Sequence, residues 1–383
     1  MKTRSWLFAL VLSCLALGSL ATGAHAAATP ERAAVQQTIE SGADLSSRAQ
    51  QVLYRARTRL DNDDPAGAVD AVSDWLKGTP DHDHPLLRFT RAEARLYLDQ
   101  PDSAWVDLRR AVDLEPRFAR AWLKLGELAY SREEYALAAE AFGRGYELSP
   151  DAPTALLHYR GVCLLLADRP DEAVTVLAGL LQDHRDVAEL EWYRALVAAD
   201  LECAAPGRAT PLLDHLVEDF AAEPDAWDLA ARHAAARRDY RGAVVALTIV
   251  DYLQPLVRVR LRQLGDLYAA CGVPLQAARC YRRALEGEPR AVEADSTDIR
   301  RRRASVERLA AAWLEAHRPG EARAVLQAEL AADPGFGRGY LLLGYAALDL
   351  DRTELARDSW RKALAHPDQA DEAGRLLQSL GAP

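Results

Sequence analysis

The sequence predicts an all-α fold, a solenoid of about nine stacked helical hairpins closed by a C-terminal capping helix. Three observations carry that prediction. A pattern of small and large apolar residues recurs every 34 residues along a chain of 383. Each recurrence holds two apolar stripes at helical spacing on either side of a short polar turn. A proline closes most of them, where a second helix has to stop.

Residues 1–26 read as an export signal. Lys2 and Arg4 precede the apolar SWLFALVLSCLALGSL of residues 5–20, and AHA at 24–26 is an A-x-A cleavage site. Cleavage after Ala26 takes the formal charge from −10 to −12, because Lys2 and Arg4 leave and no anion does. The chain is therefore expected to be exported, and an acidic body suits a bacterial periplasm. Another reading takes VLSC, ending at Cys14, as the box of a lipid-anchored protein; it would leave LALGSL on the mature chain and waste the A-x-A site. No later segment approaches the roughly 18 apolar residues of a membrane span, so no transmembrane segment is expected in the mature chain. The negative charge argues against a nucleic-acid partner.

Residues 27–48 form a polar lead-in with one short helix expected from Pro30 to Glu40. The repeats follow at 49–82, 85–118, 119–152, 154–187, 188–223, 224–257, 258–291, 303–336 and 337–370. AWLKLGELAYSREEYALAAEAFGRGYELSP (121–150) and LRQLGDLYAACGVPLQAARCYRRALEGEP (261–289) show the register. The eighth position is always small: Ala56, Ala92, Gly126, Gly161, Ala195, Ala231, Gly265, Ala310 and Gly344. The twentieth is alanine in eight repeats, and a two-residue slip in the fifth brings in Ala209. Small residues at both positions let two helices approach. A large residue at position twenty-four, such as Phe142, Tyr281 or Trp360, fills the wedge beside them. Proline stands at position thirty-two in six repeats: Pro80, Pro116, Pro150, Pro255, Pro289 and Pro334. An insertion at 292–302 separates the seventh and eighth repeats. QADEAGRLLQSL (369–380) has Leu376, Leu377 and Leu380 on one side, so 371–383 are read as capping helix and tail.

The pattern resembles the tetratricopeptide repeat over 49–370, nearly all of the mature chain. The resemblance implies a right-handed superhelix whose first helices line a concave groove. It implies protein interaction rather than catalysis, without naming a partner.

No H-E-x-x-H, G-x-S-x-G or P-loop pattern is present, and no cofactor is expected. GFGRG (335–339) follows a helix rather than a strand; its glycines are expected to supply positive φ in an inter-repeat turn. DHDH (81–84) offers two imidazoles and two carboxylates, but further metal ligands are wanting, since DNDD (61–64) belongs at the far end of the hairpin. No metal site is expected there, only a hydrated loop capping helix ends. Cys163, Cys203, Cys271 and Cys280 have no C-x-x-C spacing and are expected to be buried thiols.

The candidate site is the groove face of the first helices, at positions two, five, nine and twelve. It gives Arg57, Phe89, Glu93, Leu123, Glu127, Tyr130, His158 and Trp192 in the first five repeats. The sixth and seventh add the alternating charges Asp228, Arg232, Arg262 and Asp266. An exposed apolar strip there would mark a partner protein or peptide; otherwise the same residues pack against neighbouring first helices or the lead-in. The lysines and asparagines that some family members use to clamp a peptide carboxylate are missing, since Asn62 lies in a turn and Lys124 is the only groove-side lysine. Arg300, Arg301, Arg302 and Arg303 are expected on an early-starting first helix of the eighth repeat, with Arg303 paired to Glu307. They form either a solvated extension or a ledge for an acidic partner. Function is thus read as a non-enzymatic interaction scaffold in the cell envelope. The alternative is a structural part of an envelope-assembly or polysaccharide-export machine that uses convex or edge surfaces.

Overall fold

A computed structural model describes residues 30–78, 82–286 and 296–381. The export signal, Cys14, Pro80, Asp81, Pro289 and residues 292–295 of the insertion lie outside the described residues. Among the described residues there are 20 α-helices and no strand, and helices consecutive in sequence pack on one another.

The chain divides into two compact units, Met1–Leu216 and Val217–Pro383. The N-terminal unit opens with a lone helix, α1 (Pro30–Ser41). Hairpins follow: α2 (Ser47–Asp61) with α3 (Pro65–Leu76), α4 (Pro85–Tyr97) with α5 (Pro101–Leu114), and α6 (Ala119–Ser131) with α7 (Tyr135–Leu148). Then come α8 (Ala155–Leu166) with α9 (Pro170–Asp183), and α10 (Leu190–Glu202), whose partner α11 (Thr210–Asp219) contains the division. The C-terminal unit holds α12 (Pro224–Ala236) with α13 (Tyr240–Leu253), α14 (Arg258–Ala270) with α15 (Pro274–Leu285), and α16 (Ser296–Glu315) with α17 (Pro319–Ala332). It ends in α18 (Gly337–Leu348) with α19 (Thr353–Ala363) and the cap α20 (Pro367–Ser379).

The repeat chemistry works as its spacing implies. The alanine at position twenty is fully buried in every hairpin, including Ala209 after the slip. Position eight faces position twenty-four of the same hairpin. A methyl added to Gly126 would stand 3.1 Å from the Phe142 ring, one on Gly265 would stand 2.5 Å from Tyr281, and one on Gly344 would overlap the Trp360 indole. Hairpins with alanine at position eight instead carry Val72, Leu108, Leu213, Leu247 or Leu326 opposite it. The fourth glycine, Gly161, faces Leu177, which an added methyl would approach to 2.5 Å, so that contact too is close-packed. Helices α5, α7, α13 and α17 each stop two residues before a described position-thirty-two proline.

The turn inside each hairpin is a feature the sequence pattern did not announce. Asp63, Asp99, Glu133, Asp168, Arg238, His317 and Asp351 have φ between 53° and 63°, and Gly272 has 71°. All eight stand at position fifteen. The next residue donates back across the helix end, as Asp64 N–H does to the Arg59 carbonyl at 2.8 Å and Arg352 N–H to Ala347 at 2.9 Å. This is the left-handed helix stop, taken here mostly without glycine.

Two expectations need correction. The glycines of GFGRG do not supply positive φ. They are small because neighbours are close: a methyl would stand 2.6 Å from His366 at Gly337 and 2.5 Å from Phe336 at Gly339. The second concerns Arg303, whose partner is not Glu307. Arg303 grips Asp333 at 2.6 and 2.8 Å, while Glu307 takes Arg338 at 3.2 Å.

The cap does what a terminal helix must. Leu376, Leu377 and Leu380 of α20 and its C-terminal flank pack on the cluster around fully buried Trp360, and Ala373 is buried. Arg338 and Tyr345 of α18 bind Glu372 of the cap, both at 3.0 Å.

Candidate protein-binding wall of the first helices

First helices of neighbouring hairpins touch, as α2 does α4 and α8 does α10. That contact decides what position five can do. Phe89 is 1% exposed, Trp192 3% and His158 7%. Phe89 lies against Phe118, ring centres 5.0 Å apart. The exposed apolar strip expected at these positions is therefore absent, and its bulkiest members belong to the core. Burial holds the His158 imidazole down at about 4. Tyr130 is half-buried with Tyr135 edge-on at 5.7 Å, and burial pushes its phenol up to about 12.

What the wall of the N-terminal unit does expose is a polar track. Arg120 lies over the Phe89 ring at 5.0 Å, donates to Glu93 at 3.2 Å, and comes within 4.0 Å of Glu40. Burial raises the Glu93 carboxyl above its ordinary range, against the pull of Arg120, Lys124 and Arg57. Lys124 pairs with exposed Glu127 at 2.7 Å. Leu123 stays partly accessible and lines a cleft of about 640 Å³ together with Arg120, Pro150 and Gln36.

The other side of that cleft is α1. Its Gln36 Nε2 donates to the Arg117 carbonyl at 2.6 Å, and its Oε1 accepts from the Ala119 amide at 3.1 Å. Arg57 donates to the Glu40 carbonyl at 3.3 Å. Of the lead-in, sequence reading caught the helix but not its seat. Gln36 meets its partners 81 and 83 residues away, and no local pattern marks such a pair. Arg120 stands at groove position two, among the positions read as groove-facing but not among the residues singled out.

In the C-terminal unit the same positions form ion pairs and hydrogen bonds. Asp228 binds Arg232 at 2.5 Å and also Arg260. Asp266 accepts from the Tyr281 hydroxyl at 2.7 Å, and Arg262 lies 3.4 Å from Ser305 Oγ.

The arginine run divides in two. Arg302 makes a bidentate pair with Glu329, which is 4% exposed, and Arg303 does the same with Asp333 beneath Phe336. These two fasten α16 to α17 and its exit turn, so the ledge read across all four shrinks to Arg300 and Arg301. Among the described residues Arg301 pairs with Asp298, at 3.5 Å. The described part of the His–Asp loop is structural as well. His84 caps α4 and meets Asp44, His82 stacks on Trp75 at 4.0 Å, and Asp83 pairs with Arg88 and Arg110. Cys163, Cys203, Cys271 and Cys280 are free thiols, Cys271 the least buried. Among the described residues no helix is long and apolar enough to cross a membrane.

Fold and wall together define an α-solenoid of helical hairpins. Its repeat register and helical hairpins resemble those of tetratricopeptide repeats, and part of the chain is similar to a curated protein that carries such repeats. It is 29% identical over 110 residues to the small glutamine-rich tetratricopeptide repeat-containing protein 2 of Mycosarcoma maydis, a match covering 29% of this chain and 30% of that protein. The chain thus spans under a third of that relative's length. Solved structures similar to it include the tetratricopeptide-repeat domain of P58(IPK), with TM-score 0.28 and 16% identity over 88% of this chain and 100% of that one. Another is a tetratricopeptide repeat protein from Parabacteroides merdae, with TM-score 0.34 and 11% identity over 87% and 98%. No known family profile matches the chain.

Proposed function

We propose that this protein is a non-enzymatic interaction scaffold of the cell envelope, holding a helical or extended segment of a partner along the first-helix wall of its N-terminal unit. The observation that carries the reading is the cleft of about 640 Å³ with Arg120 and Leu123 on its edge. It joins a guanidinium to a partly accessible apolar side chain, a pairing that suits a docked segment. The export signal read at 1–26 supports the envelope location.

A second reading places a partner on an edge of the C-terminal unit. Tyr252 is 88% exposed, Val257 69% and Val259 57%, beside Leu253, where α13 ends and α14 begins. An apolar group of that size on a surface is a docking candidate. It suits a structural component of an assembly machine.

Affinity capture from envelope extract distinguishes the two. An Arg57→Glu, Arg120→Glu chain should lose the partner, and a Tyr252→Ser, Val257→Ser chain should keep it. The opposite pattern would transfer the function to the edge.

A further inference from the structure

Helix α1 is held in a way that its composition does not explain. Of its 12 residues only Gln36 is buried, and Ile39 is its one large apolar group packed on the core of the unit. The hold is polar and directional. Helix α6 begins after Phe118, a residue whose side chain makes no capping hydrogen bond. Its first amide, on Ala119, is one of the donors that every helix start leaves open. Gln36 fills that gap from outside, taking the Ala119 N–H on Oε1 and giving Nε2 to the Arg117 carbonyl. A side-chain amide can do both, whereas a carboxylate has no proton for the carbonyl. Four residues on, the Glu40 backbone carbonyl accepts from Arg57 at 3.3 Å and its carboxylate stands 4.0 Å from Arg120.

We propose that α1 is an intramolecular ligand of the first-helix wall, and that the partner segment is a helix of matching chemistry, glutamine followed four residues later by an acid, which displaces it. This rests on the wall being the partner site. Gln-x-x-x-Glu at that spacing presents both groups on one helix face. The tether of α1, residues 42–46, is short, so the resident helix competes at high effective concentration. A partner's apparent affinity is lowered by the fraction of chains in which α1 is docked.

The probe is a fluorescent peptide of residues 30–44, added to the full-length chain and followed by anisotropy. Loss of the two Gln36 hydrogen bonds in a Gln36→Ala chain should let the peptide bind about tenfold more tightly than it binds wild type. A peptide carrying Gln36→Glu should bind neither chain well, and Arg120→Ala in the chain should weaken the native peptide. Equal affinity for wild type and Gln36→Ala, or no binding to either, would show that α1 is a fixed N-terminal cap and overturn the proposal. Equal binding of the Gln36→Glu peptide would overturn the amide requirement. Circular dichroism of the Gln36→Ala chain checks that it stays folded. Capture of a partner by the wall while amide exchange in α1 stays unchanged would sink this inference and leave the scaffold reading standing.

Discussion

Gly344 and Trp360 show how the repeat is specified one side chain at a time. The indole occupies the space where a methyl on Gly344 would lie, so Gly344→Ala should lower stability by about 1–3 kcal/mol. Adding Trp360→Leu restores the pairing used by the alanine hairpins and should recover part of that loss, read from denaturant midpoints of the single and double variants. This pairing was legible in the sequence, because both positions recur at fixed spacing. His158 was not, since its period marks a face but not what covers that face. Its imidazole sits at about 4 in the fold against 6.5 when exposed. The unfolded chain binds this proton first, so the contribution is complete above about pH 6.5 and is lost as pH falls towards 4, by about 3 kcal/mol in all. Thermal melts across that range should show the loss, and a His158→Met chain should lack it.

Among elements, the hairpin turn and α16 carry the main surprises. Seven of the eight left-handed turn residues are not glycine, which hid the motif from a reading that looks for glycine at helix ends. Arg238→Gly relieves that conformation and should stabilise the fold by about 0.5–1 kcal/mol, measured by urea unfolding. The insertion does lengthen a helix: α16 has 20 residues where α2 has 15 and α8 has 12. Its arginines were misassigned because their partners stand 27 to 30 residues on, in and just after the next helix. Glu329→Ala leaves the half-buried Arg302 guanidinium without that carboxylate and should cost about 3 kcal/mol. Arg300→Ala, on the solvent side, should change stability by less than about 0.5 kcal/mol. The midpoints of the two variants compare these directly.

At the scale of the whole molecule, local regularity was readable and its consequences between hairpins were not. Small residues, wedges and terminal prolines located nine hairpins and the cap, since each acts within one repeat. Which wall residues stay accessible depends on contacts between repeats. Phe89 and Trp192 are buried there, while Arg57, Glu93 and Arg120 stay partly accessible. The proposed partner site is this wall, with α1 seated on it. Hydrogen exchange on the full chain with and without a captured partner tests it most directly. Exchange is expected to slow at the start of α6 and around Arg57, and to quicken in α1 as it is displaced. Unchanged exchange throughout the wall, with protection at 252–259 instead, would contradict it.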